Sequence, residues 1–137
     1  MKTERVDMWV AGLKDKPGAL ADKLEQVAAA GANLQFVLAR RAPEKPGSAV
    51  VFATPFKGAA ARAAKKAGFH KSRSLFAVRL QGPDRKGRGA KITCALAEGG
   101  INLRGLSAVG LGKEFVAYVA LDSAADAAKA AKILKAL

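Results

Sequence analysis

An internal repeat is the feature that most constrains this 137-residue sequence. A shift of 69 positions aligns segment 31–34 (GANL) with segment 100–103 (GINL) and, without a gap, Asp15 with Asp84 and Gly18 with Gly87. Each repeat has about 70 residues, and a unit of that size alone would have only a thin hydrophobic core. The repeat therefore predicts two similar domains packed together, at 1–73 and 74–137.

Hydrophobic periodicity predicts the same order of elements in both repeats: strand, helix, strand, strand, helix, strand. In the first repeat the elements are expected at 6–13, 18–30, 34–41, 48–54, 58–67 and from Phe69 onward; in the second they are expected at 75–81, 88–98, 103–109, 114–121 and 123–137. This βαββαβ order is typical of α+β ferredoxin-like units, each an antiparallel sheet with two helices on one face. The second unit lacks its last strand.

The missing strand predicts an unpaired edge on the strand at 75–81. Because segment 69–81 contains neither glycine nor proline, we expect it to form one long strand shared between the two sheets. We expect the remaining edge to be covered by a second chain, in a two-fold homodimer.

Composition argues against several other classes of protein. No apolar run approaches the ~18 residues of a membrane span, and the polar start of the chain does not resemble a signal peptide, so a cytoplasmic protein is expected. The single cysteine, Cys94, falls in a helical pattern and is expected to be a small buried core residue. His70 is the only histidine and has no cysteine nearby. We therefore expect no metal site, no cofactor and no enzymatic activity.

A net charge of +13, from 24 basic and 11 acidic residues, favours an acidic ligand, a nucleic acid or a negatively charged partner. Four basic residues lie within segment 85–91, at the start of a predicted helix, where they form either a dock for a phosphate-bearing ligand or a solvated face. Most aromatic residues fall at strand positions expected to be buried, which does not favour a base-stacking platform. A basic nucleic-acid-binding protein with weak sequence preference remains the alternative function.

The motif Asp-x-Pro-Gly-x-Leu, followed by a helix, Gly-x-Asn-Leu and a strand, resembles the ACT-domain family, the amino-acid-sensing regulatory modules of metabolic enzymes. The resemblance covers nearly the whole chain as a tandem pair. The second repeat departs from the motif, with Lys86 in place of the proline and Gly89 in place of the leucine.

The resemblance implies a free-standing, non-catalytic regulatory protein that binds an amino acid or a similar small metabolite at strand–helix loops and domain interfaces. Such a protein would act on a separate enzyme or regulator. The implied ligand-binding residues are Asp15, Pro17, Gly18, Asn33 and Leu34 in the first repeat and Asp84, Gly87, Asn102 and Leu103 in the second.

Physical chemistry suits these loops to that task. A helix N-terminus offers free N–H groups to an α-carboxylate, and a nearby aspartate can bind an α-ammonium group. The intact motif predicts that the first repeat binds more tightly. Alternatively, Asp15 only caps its helix and Asn33 only follows the turn after Gly31.

Overall fold

The computed structural model describes residues 1–137 and contains two four-stranded antiparallel sheets and four helices. The elements in chain order are β1 (Lys2–Val6), β2 (Trp9–Lys14), α1 (Ala19–Ala29), β3 (Phe36–Arg41), β4 (Ser48–Thr54), α2 (Ala59–Lys66), β5 (His70–Lys71), β6 (Phe76–Pro83), α3 (Arg88–Glu98), β7 (Gly105–Leu111), β8 (Glu114–Leu121) and α4 (Ala124–Lys135). They form two compact units. The first-repeat unit is Asp7–Ser72, and the second-repeat unit is Met1–Val6 together with Arg73–Leu137.

The first-repeat unit has the strand order β3-β4-β2-β5. Alternate residues of β2 and β4 point to one face of the sheet, where they pack against buried residues of α1 and α2. Three aromatic rings anchor this core: Phe56 lies with its ring centroid 5.3 Å from that of Trp9 and 5.1 Å from that of Phe69. The expected ferredoxin-like arrangement, with both helices on one face, is confirmed.

The second-repeat unit has the strand order β1-β6-β8-β7, and α3 and α4 pack on one face of this sheet. Its edge strand β1 comes from the start of the chain and pairs antiparallel with β6, from Lys2 opposite Gln81 to Val6 opposite Ala77. The place left empty by the missing last strand is therefore filled within the same chain.

This pairing corrects three expectations. Residues 1–6 belong with the second repeat and not with a domain at 1–73. The strand expected at 6–13 is β2, which begins only at Trp9, and its expected first residue, Val6, instead ends β1 in the other sheet. The edge of β6 that was expected to pair with a second chain is already covered by β1, so a homodimer cannot form through that edge while β1 is in place.

The expected long strand over 69–81 is also wrong. β5 pairs with β2 only at Trp9 and Val10, and the chain bends after it before β6 begins in the other sheet. The bend is held within each unit, since the Ser72 N–H donates to the Met8 carbonyl (2.8 Å) and the Arg104 guanidinium donates to the Ser74 carbonyl (2.6 Å). Absence of glycine and proline therefore did not keep this segment straight.

Helix α3 buries the stripe Arg88, Ile92 and Leu96, which are four residues apart and so share one face. Cys94 lies between these positions on the other face and is exposed, so the expectation of a buried cysteine is wrong. None of the four helices combines the length and the apolar character needed to cross a membrane.

Candidate functional site

The loops that join the first strand of each repeat to its helix have the same backbone conformation. Gly18 and Gly87 are the N-cap residues of α1 and α3, and both are left-handed, with φ of 85° and 76°. Glycine has no Cβ and adopts this conformation at little cost. Neither helix has a side-chain cap, whereas the Ser123 hydroxyl accepts a hydrogen bond from the Asp126 N–H at the start of α4. The first N–H groups of α1 and α3 are therefore not covered by a capping side chain.

The two loops are also anchored in the same way. The Asp15 N–H donates to the Gly47 carbonyl (3.0 Å), and the Asp84 N–H donates to the Lys113 carbonyl (2.8 Å). Each acceptor lies in the turn of the hairpin of the same repeat. Pro17 precedes the N-cap and lies outside the first helical turn. The two sequence repeats therefore have the same geometry in the loop between the first strand and the helix.

The two aspartates differ in their electrostatic surroundings. Asp15 Oδ2 lies 2.9 Å from Arg41 Nε at the end of β3, so its carboxylate forms an ion pair and does not cap α1. The residue equivalent to Arg41 in the second repeat is Gly110, which has no side chain. A Cβ atom at Gly110 would lie 3.1 Å from Asp84 Oδ2, which shows how closely the carboxylate approaches that backbone. The Asp84 carboxylate has no cationic partner.

Each asparagine lies at the opposite end of its sheet from the aspartate, where the next parallel strand begins. β2 and β3 both pair antiparallel with β4, which lies between them, so they run parallel to each other. The Asp15–Arg41 ion pair shows that both strands end at the same end of the sheet. The start of β3 is then about 17 Å away, at ~3.3 Å per residue. Asn33 precedes that start and is exposed.

The same geometry holds in the second repeat, where β6 and β7 are both antiparallel to β8 and Asn102 precedes β7. Leu34 and Leu103, which follow the asparagines, pack against the cores of their own units. Neither unit brings its aspartate and its asparagine together. A ligand as small as an amino acid cannot bridge the two residues within one unit.

The basic segment 85–91 is not a uniform charged face. Arg88 is buried, and its guanidinium donates two hydrogen bonds to the Pro83 carbonyl, from Nε (3.2 Å) and Nη2 (2.7 Å). These bonds tie the end of β6 to the start of α3. Arg85, Lys86 and Lys91 are exposed. The sequence signal for the structural role of Arg88 is its place on the stripe with Ile92 and Leu96.

No protein-family model matches this sequence, and no curated protein matches it significantly. Solved structures are similar over almost the whole chain. Protein BT0572 from Bacteroides thetaiotaomicron is 18% identical with a TM-score of 0.77, covering 98% of this chain and 89% of its own. The ligand-free regulatory subunit of aspartate kinase from Thermus thermophilus is 16% identical with a TM-score of 0.67, covering 99% and 97%.

A third structure, of aspartokinase alpha and beta subunits, is 20% identical with a TM-score of 0.63, covering 98% of this chain and 94% of its own. At these identities the likeness is one of fold. The chain has the paired, ferredoxin-like α+β fold that the regulatory subunit of an aspartate kinase also has.

Proposed function

We propose that this chain is a non-catalytic regulatory protein that binds an amino acid or a similar small metabolite at its strand–helix loops. The fold it shares with aspartate kinase regulatory subunits supports a regulatory role. The observation that carries the proposal is the loop 84–87, where Asp84, whose carboxylate forms no ion pair, precedes the uncapped N-terminus of α3 by three residues. The helix end attracts a carboxylate and Asp84 attracts an ammonium group, so the loop is complementary to both charges of an α-amino acid.

The second-repeat loop is then the tighter site, in contrast to what the intact motif of the first repeat predicts. A ligand ammonium at Asp15 must compete with Arg41, whereas the Asp84 carboxylate forms no ion pair within the chain. The Asp15–Arg41 pair is exposed, and such pairs contribute about 0.2–1 kcal/mol. The competition should therefore weaken the first site by up to about fivefold, since 1.4 kcal/mol corresponds to a factor of ten.

A thermal-shift screen of the twenty amino acids against the purified protein tests this proposal, because a ligand that binds only the folded state raises the unfolding temperature. Asp84→Asn should remove most of the shift caused by the best ligand. Asp122→Asn removes an exposed carboxylate elsewhere and is the matched control, and it should keep the shift. Retention of the full shift in a variant carrying both Asp15→Asn and Asp84→Asn would contradict binding at these loops.

Asn33 and Asn102 can contact the ligand in only one of two kinds of site. Because Asn33 and Asn102 lie about a strand length from the aspartates of their own units, they contact the same ligand only if it is bound between copies of the unit. Asn33→Ala and Asn102→Ala therefore distinguish two kinds of site. A site within one unit predicts that both variants keep ligand affinity, and a site at a domain interface predicts a loss.

The alternative function, electrostatic binding of nucleic acid, is favoured by the excess of cations over ion pairs. Only three ion pairs form, whereas the chain has 24 lysine and arginine residues. The ring contacts of Trp9, Phe56 and Phe69 lie in a core, so these side chains cannot stack on bases. Any such binding should have steep salt dependence and little sequence preference. Tight, sequence-selective binding at physiological salt would favour this function over metabolite sensing.

A further inference from the structure

A groove with a volume of about 550 Å³ lies between β1 and α4 in the second-repeat unit. One wall consists of Thr3, Glu4 and Arg5 of β1, and the other carries Lys129, Lys132 and Lys135 of α4. Two alanines of α4 complete the lining. None of these residues belongs to the strand–helix loops, so the groove is a separate feature of the surface.

The groove runs along the open edge of β1. Side chains of successive strand residues point to opposite faces of a sheet. Three consecutive residues can therefore line one groove only if the groove follows the strand edge. β1 is the last strand in its sheet and pairs only with β6. Its other edge presents backbone N–H and C=O groups without strand partners, which is the usual template for pairing with a further strand.

The groove is strongly basic. Arg5 and the three lysines form no ion pair and no side-chain hydrogen bond, so their charges are not neutralised within the chain. Glu4 is the one acidic residue of the lining, and it lies 3.9 Å from Arg79 of β6. Lys129 to Lys135 spans about 9 Å along α4 at ~1.5 Å per residue. An extended chain covers the same distance in about three residues.

We propose that this groove binds an extended acidic segment of a partner protein by adding it as a fifth strand next to β1. The backbone of the segment pairs with the edge of β1, and its alternate acidic side chains face the lysines of α4. The groove thereby supplies a protein-docking site that metabolite binding at the loops does not provide. Its geometry is independent of those loops.

Charge and lining decide between this occupant and two others. A second copy of the chain, paired edge to edge through β1, would bring two such lysine-rich surfaces close together, and like charges repel. A single-stranded nucleic acid would use aromatic side chains for stacking, and the groove has none. A nucleic-acid backbone also has no amide groups with which to pair the strand edge.

Fluorescence anisotropy with the full chain tests the proposal. The probe is a labelled seven-residue peptide of alternating valine and glutamate, and its control is the same peptide methylated at every backbone amide. The two peptides carry equal charge, but the methylated one cannot donate hydrogen bonds to β1. We expect the methylated peptide to bind at least about tenfold more weakly, because several backbone hydrogen bonds are lost. Equal affinity of the two peptides, or no binding of either, overturns the proposal.

A pair of charge-matched variants locates the site. The variant Lys129→Gln/Lys132→Gln/Lys135→Gln should weaken binding of the unmethylated peptide about tenfold or more. The control Lys57→Gln/Lys65→Gln/Lys66→Gln loses the same charge from exposed positions in the other unit, and it should weaken binding by less than about threefold at moderate salt, where distant charges are screened. Equal weakening by both variants would show that only net charge matters and would overturn the proposal. The groove variant should keep the thermal shift given by an amino acid, so failure here is distinguishable from failure of the loop site.

Discussion

Deletion of residues 1–6 should destabilise the second-repeat unit and leave the first-repeat unit nearly intact. The deletion removes five residue pairs between β1 and β6, from Lys2 opposite Gln81 to Val6 opposite Ala77. An antiparallel ladder of this length contains about five hydrogen bonds, each contributing ~1 kcal/mol net, so the expected loss is about 3–5 kcal/mol. A small domain has a total stability of about 5–15 kcal/mol, so this loss is a large fraction of it.

Hydrogen exchange followed by mass spectrometry measures the effect locally. Peptides that cover β6 should lose protection, because the amides that point toward β1 become exposed on a sheet edge. Peptides that cover β4, in the other sheet, are the internal reference and should exchange as in the intact chain. Urea denaturation should show a separate, earlier transition for the second-repeat unit.

The matched control keeps the ladder and changes only side chains. Lys2→Arg/Arg5→Lys leaves the net charge unchanged and alters two exposed positions, so it should change the free energy of unfolding by less than ~0.5 kcal/mol. If the deletion leaves β6 protected and the urea midpoint unchanged, β1 does not stabilise the second-repeat sheet, and the assignment of residues 1–6 to that unit is wrong.

Three further predictions follow from single features. Cys94 is exposed, so a thiol reagent should react with it in the native protein as fast as in urea, and slow native reaction would contradict this placement. Ser123→Ala should cost about 1 kcal/mol in urea denaturation because the Asp126 N–H loses its acceptor, whereas Ser123→Asp should cost little. The open edge strand β7 exposes Val109 (56%) and Leu111 (71%), so we expect a homodimer through this edge. Val109→Glu/Leu111→Lys should convert it to a monomer in light scattering, and a wild-type monomer at micromolar concentration would contradict the dimer.

Hydrophobic periodicity was sufficient to predict most elements. The strand expected at 114–121 matches β8 residue for residue, and its four alternate residues 115, 117, 119 and 121 are all buried. β1 could not be predicted in the same way. Three of its five residues are charged, as is common on an edge strand, and its partner β6 is more than 70 positions away in the chain. No local sequence pattern indicates a pairing between two strands so far apart in the chain.

The candidate site was predictable only in part. The loop conformation at Gly18 and Gly87 follows from the repeated motif, since both positions need a left-handed residue. The separation of Asp15 from Asn33 also follows from topology. In a strand–helix–strand unit with parallel strands, the loop before the helix and the loop after it lie at opposite ends of the sheet. The ion pair between Asp15 and Arg41 joins two different strands, and no sequence spacing indicates it.

The first-repeat unit lies in the chain between β1 and its partner β6, and this arrangement determines the order in which the chain can fold. During synthesis, β1 leaves the ribosome about 70 residues before β6, its only strand partner. Closing a loop of that length costs conformational entropy. Folding of the first-repeat unit offsets most of this cost, because the hydrogen bond from the Ser72 N–H to the Met8 carbonyl brings the two ends of that unit together. Folding of the first-repeat unit thus brings β1 close to β6. A substitution that slows folding of this unit should delay formation of the β1–β6 pairing in the second-repeat sheet.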